Sequence, residues 1–282
     1  MEPEARTYES SDGTPLPMWV WRPAAGRAAL VYLHGIQSHS GWYEASSRHL
    51  AEAGVAVYQV ERRGSGADTA HERGHVDKAE TWLEDVAAAA RLARHETGLE
   101  QVHLMGVSWG GKLALACAAH RPHLYRSLIL SAPGIIPIVD VVLAIKMRIA
   151  KCLMAKEDLA RFPIPLEDPH LFTENPERVR YIAGDPLSLR ELTARFMFES
   201  RRLETLAREA APAVRCPVLL VLAQRDRIID NDATRRLYYA IPARRRTVTY
   251  PGAHHTLEFE PDPSAYFRDL VAWIDEVEGQ GP

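Results

Sequence analysis

Cysteine and net charge are both scarce in this 282-residue sequence. The three cysteines, Cys117, Cys152 and Cys216, are separated by long intervals and form neither a disulfide framework nor a metal-ligand spacing. We therefore expect them to be small buried hydrophobic residues. The formal net charge of −3 gives no electrostatic reason to expect nucleic-acid binding. No cluster of His, Asp and Glu residues suggests a metal site.

Long hydrophobic runs are also missing. The longest, at 135–145, is about half the length needed to span a bilayer, and it contains Asp140. The N-terminal segment is acidic and lacks the apolar core of a signal peptide. Hydrophobic residues make up 46% of the chain and charged residues 25%, which is typical of a globular protein. These features favour a cytoplasmic protein.

Apolar runs of strand length alternate with amphipathic segments of helical length. Continuous apolar runs predict strands that are buried on both faces, and their alternation with helices predicts a parallel sheet covered on both sides. The predicted strands are 28–33, 55–60, 102–105, 127–130, 218–222 and 247–250. The predicted helices are 44–53, 81–95, 112–120 and 264–277.

One segment, 134–212, breaks this alternation. It has no strand of the buried type and is rich in helix formers, Arg and Pro, and a loop of that length is improbable. We predict a helical cap at 134–212, inserted into a core formed by 1–133 and 213–282. Its apolar positions could line a pocket or touch a membrane, but packing among the cap's own helices is the favoured interpretation. These positions are Val139, Val142, Leu143, Ile145, Met147, Ile149, Leu153 and Met154. The same alternative interpretations apply to Phe196, Met197 and Phe198.

The pentapeptide Gly106-Val107-Ser108-Trp109-Gly110 lies between a predicted strand and a predicted helix. A serine with glycine at both second neighbours in this context is the pattern of a nucleophile elbow. A side chain at Gly106 or Gly110 would collide with the neighbouring strand or helix. The helix N-terminus would favour negative charge that develops at Ser108. The alternative is a serine in an ordinary tight turn.

A nucleophilic serine requires a histidine base that is oriented by a carboxylate. Ser108, Asp226 and His255 each follow a predicted strand, in the chain order serine, aspartate, histidine. Asp230 and Asp232 compete with Asp226, although Asp232 resembles an N-cap for a helix that begins near residue 233. We predict Asp226 because it lies nearest the strand end.

The tetrahedral intermediate of such a reaction needs two N–H donors. The backbone N–H groups of Trp109 and Ile36 are in position to form this oxyanion hole. Ile36 follows His34-Gly35 directly after the strand at 28–33. We expect His34 to shape this loop through hydrogen bonds of its ring nitrogens, and not to act as a base.

Five motifs occur in order along the chain. They are His34-Gly35-Ile36-Gln37-Ser38-His39-Ser40-Gly41-Trp42-Tyr43, Arg62-Arg63-Gly64-Ser65-Gly66, Gly106-Val107-Ser108-Trp109-Gly110-Gly111, Arg225-Asp226-Arg227-Ile228-Ile229 and Gly252-Ala253-His254-His255. Together they resemble the monoacylglycerol lipase and lysophospholipase branch of the α/β-hydrolase fold. The resemblance implies an α/β protein with a mostly parallel central sheet, flanking helices and an inserted helical cap. Alignment with the family's Gly-x-x-His motif favours His255 as the base and leaves His254 at the rim.

The activity implied by this resemblance is hydrolysis of a small-molecule acyl ester through an acyl-enzyme on Ser108. His255 would move the proton, Asp226 would hold the imidazole, and no cofactor would be needed. Monoacylglycerols and lysophospholipids are the substrate types that the branch suggests. The same acyl-enzyme would also serve transfer to an alcohol. Membrane contact through the cap is possible but is not predicted.

Two other functions compete with ester hydrolysis. The Trp109 version of the nucleophile motif is also similar to proline iminopeptidases, which need cap carboxylates to hold a substrate ammonium. Candidates are Glu157, Asp158, Glu167, Asp168, Glu174, Glu191 and Glu199. A non-catalytic scaffold is disfavoured because the triad is complete. Gln37 replaces the last glycine of the family's His-Gly-x-Gly pattern, and we expect its side chain to lie close to the substrate.

Overall fold

A mixed sheet of eight strands organises residues 1–279, the part of the chain that the computed structural model describes. Its spatial order is β1-β2-β4-β3-β5-β6-β9-β10, and β7 pairs with β8 in a separate small sheet. The strands are β1 (Glu4–Glu9), β2 (Pro15–Trp21), β3 (Ala28–Leu33), β4 (Val55–Val60), β5 (Val102–Val107), β6 (Tyr125–Ser131), β7 (Arg161–Pro163), β8 (Glu191–Thr193), β9 (Val218–Ala223) and β10 (Arg245–Tyr250).

Eight α-helices accompany these strands within residues 1–279. They are α1 (Glu44–Glu52), α2 (Ala79–Thr97), α3 (Trp109–His120), α4 (Leu143–Met154), α5 (Pro176–Gly184), α6 (Ala194–Ala210), α7 (Asn231–Tyr239) and α8 (Ser264–Glu278). In the described part of the chain, no helix combines the length and the apolar character that crossing a membrane requires. The predicted mostly parallel sheet with flanking helices is confirmed.

Six neighbouring strands of the large sheet pair with one another in parallel, in the spatial order β4, β3, β5, β6, β9 and β10. Every residue of β3, β4, β5 and β9 is buried, which explains why these strands appear in the sequence as continuous apolar runs. The antiparallel β1 and β2 at the edge were not predicted. β1 is largely exposed and β2 includes two prolines, so neither has the composition of a buried strand.

Between β6 and β9 the chain forms α4, α5, α6 and the antiparallel pair of β7 and β8. The sequence predicts a helical insertion without buried strands, and it does not reveal β7 and β8 because three-residue strands are too short to give a periodic signal. Ile149 packs with Phe162 and Ala194 in a small second core. Other apolar positions of this segment do not pack as expected, because Leu143 and Met154 are 71% and 80% exposed. The division into core and cap stays a prediction.

The connection from β5 to α3 is the tightest turn near the carboxyl edge of the sheet. Ser108 has a φ of 53°, a conformation that costs a residue with a side chain about 1–3 kcal/mol. A Cβ on Gly106 would lie 2.2 Å from the carbonyl oxygen of Gly110, and a Cβ on Gly110 would lie 2.5 Å from that of Leu33. Glycine at both positions therefore lets α3 start directly against β5 and β3.

We expect Gly106→Ala to lower the free energy of unfolding by about 1–3 kcal/mol, because its Cβ would overlap backbone atoms that cannot move independently. Gly184→Ala is the matched control, since a Cβ there meets no atom within 4 Å, and its effect should stay within about 0.5 kcal/mol. Denaturant titration of the purified proteins measures both changes. Equal losses in the two variants would contradict the steric explanation.

Candidate active site

Three predicted residues from distant parts of the chain meet at the carboxyl edge of the sheet. The Ser108 Oγ lies 2.8 Å from the His255 Nε2, and the His255 Nδ1 lies 2.7 Å from the Asp226 Oδ2. The His255 side chain is 1% exposed and that of Asp226 is fully buried. This chain of hydrogen bonds is the arrangement in which an imidazole can take a proton from a serine hydroxyl.

The loop after β9 fixes the Asp226 carboxylate. Its Oδ1 accepts hydrogen bonds from the backbone N–H groups of Ile228 and Ile229, at 2.8 and 3.1 Å, which leaves Oδ2 for His255. The competing Asp230 accepts from the N–H of Ala233 and is the N-cap of α7. The assignment of this cap to Asp232 was therefore wrong. A single residue lies between Asp230 and Asp232, and the sequence alone does not show which of them caps α7.

The adjacent histidine, His254, has a different partner. Its backbone N–H and its Nδ1 lie 2.8 and 3.1 Å from the Glu260 Oε1. The Ser108 hydroxyl is thus within hydrogen-bonding distance of His255, whereas His254 pairs with Glu260. The structure therefore places His255, the histidine that the motif alignment favours, next to Ser108.

The two backbone groups predicted to bind an oxyanion flank Ser108. The N–H of Trp109 is the first of α3 and has no acceptor within the helix. Ile36 lies in the loop after β3, and both residues line the same cavity as Ser108. Gly134 packs directly against this turn. Its N–H donates to the Ser108 carbonyl at 2.7 Å, and a Cβ on Gly134 would lie 3.1 Å from the Trp109 nitrogen.

The loop at 34–37 is held from behind by Arg62. The Arg62 guanidinium donates to the carbonyl oxygens of Gly35 and Ile36 at 3.0 and 2.8 Å, and to the Ser65 hydroxyl at 2.7 Å. Burial lowers the pKa of Arg62 to about 9, so that the group still carries its charge at neutral pH. The sequence offered only a motif at this position. The contact joins residues more than twenty positions apart, which no local pattern predicts.

His34 completes this support as a neutral imidazole. Burial lowers the pKa of His34 well below its usual range. Its Nε2 accepts from the Arg62 backbone N–H at 3.1 Å, so its Nδ1 carries the proton and donates to the Gly35 carbonyl at 2.8 Å. The expectation that His34 shapes the loop agrees with these contacts. Gly35 itself lies close to the serine, since a Cβ there would be 3.3 Å from that of Ser108.

The Trp109 side chain links the nucleophile turn to α6. Its indole N–H donates to the Ser200 hydroxyl at 2.8 Å. The ring lies edge-on to Trp82, packs against Phe196 and is covered by the Arg62 guanidinium 4.6 Å from its centroid. Trp109 thus packs under the site as a structural anchor, and only part of it borders the cavity.

A cavity of about 510 Å³ lies beside Ser108, between the sheet edge and the segment that follows β6. Most of its lining is apolar, including Ile36, Val139, Ile149, Leu153, Ile164, Leu166, Met197, Phe198 and Ile228. Five ionisable side chains also reach it, Lys112, Asp140, Lys146, Arg201 and Glu204. Met197 and Phe198 therefore border the cavity, whereas Phe196 belongs to the core.

Gln37 does not take the place that the sequence suggested. It is 1% exposed, and its side-chain amide donates to the Leu166 carbonyl at 3.2 Å. The backbone carbonyl of Gln37 accepts from the Leu189 N–H at 2.9 Å. Gln37 is absent from the cavity lining of the described residues. It connects the loop at 34–37 to the segment between β6 and β9 and is not among the described residues that line the cavity.

A serine, a histidine and a carboxylate at the carboxyl edge of a mostly parallel sheet, with the serine at a strand-to-helix turn, define a serine hydrolase of the α/β-hydrolase fold. Comparison with known proteins places the chain more narrowly. A family model described as serine aminopeptidase, S33 (Hydrolase_4) matches residues 24–262, and the chain belongs to this family.

Several relatives that match nearly the whole chain are named lipases. The chain is 26% identical over 273 residues to the monoglyceride lipase of Homo sapiens, covering 95% of this chain and 89% of that protein. It is 25% identical over 264 residues to the monoacylglycerol lipase of Mycolicibacterium smegmatis, covering 90% and 91%. A proline iminopeptidase of Clostridium botulinum is 35% identical over 104 residues, covering only 36% of this chain and 34% of that protein.

Solved structures agree on the fold. A soluble variant of the monoglyceride lipase of Saccharomyces cerevisiae, in complex with a substrate analog, matches with a TM-score of 0.84 and 21% identity, covering 98% of this chain and 96% of that one. The monoacylglycerol lipase of Paleococcus ferrophilus matches with a TM-score of 0.81 and 22% identity, covering 98% and 100%. The predicted protein class, a lipase- or esterase-like serine hydrolase of the monoacylglycerol lipase branch, is confirmed.

We expect Arg62→Lys to lower kcat at least about tenfold with a smaller change in KM, because an ammonium cannot replace both hydrogen bonds to the oxyanion loop. Arg63→Met is the matched control. Arg63 is also buried, but its guanidinium pairs with Asp85 away from Ser108, so this variant should lose stability and keep its kcat when folded. Steady-state kinetics with denaturant titration separates the two effects, and equal kcat values for both variants would contradict the positioning role.

Proposed function

We propose that the protein hydrolyses carboxylic esters through an acyl-enzyme on Ser108. The observation that carries this proposal is the continuous hydrogen-bond chain from the Ser108 Oγ through both ring nitrogens of His255 to the Asp226 carboxylate. Such a chain lets the imidazole accept a proton from the serine while the carboxylate stabilises the resulting imidazolium.

The reaction follows from this geometry. The Ser108 Oγ attacks the ester carbonyl as its proton passes to the His255 Nε2, and the oxyanion that forms accepts from the Ile36 and Trp109 N–H groups. Collapse of the intermediate breaks the bond to the alcohol, which leaves with the proton from His255. Water then attacks the acyl-enzyme with the same histidine as base, which releases the carboxylic acid and restores Ser108.

The apolar cavity supports an acyl group as the part of the substrate beside Ser108. Its volume of about 510 Å³ falls within the range of small-molecule sites. Several relatives that cover most of this chain are named monoglyceride or monoacylglycerol lipases. We therefore propose monoacylglycerol-like esters as the substrate class. Transfer of the acyl group to an alcohol would use the same intermediate.

The charges around the cavity argue against an aminopeptidase. The two carboxylates that line it, Asp140 and Glu204, each already pair with an arginine or a lysine. The seven carboxylates that could have held a substrate ammonium, including Glu157, Glu174 and Glu199, do not line the cavity of the described residues. A cationic amine would therefore meet no unpaired carboxylate there, which favours an ester.

We expect Ser108→Ala and His255→Ala each to reduce kcat by roughly 10³-fold or more while leaving the protein folded, because each breaks the proton path. His254→Ala should cost less than about tenfold, since His254 bonds Glu260 instead. Ester hydrolysis and near-UV circular dichroism measure activity and fold. Similar losses in the two histidine variants would show that the base is misassigned.

A panel of substrates tests the ester proposal directly. We expect the wild-type protein to hydrolyse nitrophenyl acyl esters and monobutyrin with a higher kcat/KM than prolyl nitroanilide, because the cavity is apolar and lacks an ammonium site. A fluorophosphonate probe should label the wild type and not Ser108→Ala. Faster cleavage of the prolyl amide would overturn the ester assignment, and an unlabelled wild type would overturn catalysis by Ser108.

A further inference from the structure

A buried lysine borders the cavity close to the nucleophile. Lys112 lies on α3, one helical turn or about 6 Å along the axis from Ser108, and it is 5% exposed. Both residues line the same cavity. A lysine is rarely buried to this extent without an ion pair, because its ammonium loses its hydration.

The ammonium of Lys112 has no full partner in the protein. Among residues 1–279 no hydrogen bond of its Nζ occurs, and the nearest carboxylate oxygen, the Glu204 Oε2, is 3.8 Å away. Glu204 is already committed elsewhere. Its carboxylate accepts from Arg201 at 2.9 Å and from Arg208 at 3.4 Å. Lys112 lines the cavity, and within the described residues its ammonium has no hydrogen-bond acceptor.

The surrounding charges leave an excess of positive charge at this end of the cavity. Asp140 is held by Lys146 at 2.6 Å and by Arg201 at 2.8 Å. In the cavity lining, two carboxylates therefore face three cations, of which Lys112 is the one without a hydrogen bond to any described residue. Burial lowers the pKa of Lys112 to about 8, and the ammonium thus remains mostly charged at neutral pH.

We propose that Lys112 is a specificity-determining residue that binds an anionic group of the substrate, a carboxylate or a phosphate. The enzyme then favours acyl esters that carry a second, negatively charged group over neutral esters of equal length. The charge sits either at the far end of the acyl chain or on the leaving alcohol. This inference rests on the proposed ester hydrolysis and adds the charge of the preferred substrate.

A purely structural role is the competing explanation. Lys112 on α3 lies 3.8 Å from Glu204 on α6, and in this explanation their attraction only holds the two packed helices together. In that case its replacement would affect all substrates equally. A role in recognition would instead change the ratio between charged and neutral substrates, mainly through KM.

The test measures kcat/KM for two matched pairs of esters. Monoethyl adipate is compared with ethyl hexanoate for charge on the acyl chain, and butyryl glycerol phosphate with monobutyrin for charge on the alcohol. The proteins are the wild type, Lys112→Met, Lys112→Arg and the control Lys151→Met, which replaces an exposed lysine of α4 that does not line the cavity.

In one of the two pairs, we expect the wild type to favour the anionic ester and Lys112→Met to lower that preference about ten- to a hundredfold, the usual effect of a charged hydrogen bond. Lys112→Arg should retain most of the preference, and Lys151→Met should equal the wild type. The pair that responds identifies where the charge lies. Unchanged ratios for Lys112→Met in both pairs would overturn the inference.

A binding measurement covers the case in which Lys112→Met fails to fold. Calorimetry on Ser108→Ala, which cannot turn the esters over, should show at least tenfold tighter binding of the anionic member of one pair. Equal affinities in both pairs would overturn the inference while leaving ester hydrolysis intact. If the wild type cleaves none of the four esters and resists the fluorophosphonate probe, the proposed function itself is wrong and this inference falls with it.

Discussion

The close approach of β3, β5 and α3 around Ser108 is the constraint on which the site depends. Ser108 keeps a φ of 53° because the residues around it are fixed by backbone hydrogen bonds. Its N–H donates to the Ser131 carbonyl, and its own carbonyl accepts from Gly111 and Gly134. The carbonyls of residues 33 and 34 leave no space for a side chain at Gly110. The loops that follow β3, β5 and β6 are thereby held in fixed positions relative to the Ser108 hydroxyl.

The same turn also positions the segment that covers the sheet edge. Trp109 begins α3 directly after Ser108, and its indole N–H donates to the Ser200 hydroxyl on α6. Arg62 covers that indole and holds the oxyanion loop, while Gln37 connects that loop to Leu166. Nucleophile, oxyanion loop and cavity wall therefore form one packed unit. A shift in any of these contacts changes both the donors and the space available to the acyl group.

The parts that could be predicted from sequence are those with a local signal. Buried parallel strands give continuous apolar runs, and the elbow and triad follow strand ends in a known order. The edge strand β1 gave no such signal because it is largely exposed. The N-cap of α7 was placed on Asp232 in place of Asp230, because two aspartates two residues apart offer the same chemistry. The supporting role of Arg62 depends on packing that forms only in the folded chain.

Substrate choice is the least predictable property for the same physical reason. The motifs supply Ser108, Asp226 and His255, whereas most of the cavity wall is built from residues after β6 that belong to none of the motifs. Its apolar residues admit an acyl chain, and its charges decide what else the substrate can carry. Each carboxylate in the lining is already neutralised by neighbouring cations, while the ammonium of Lys112 has no hydrogen-bonded partner among residues 1–279. Buried charge requires a counter-charge, so this imbalance favours an anion over an amine in the cavity.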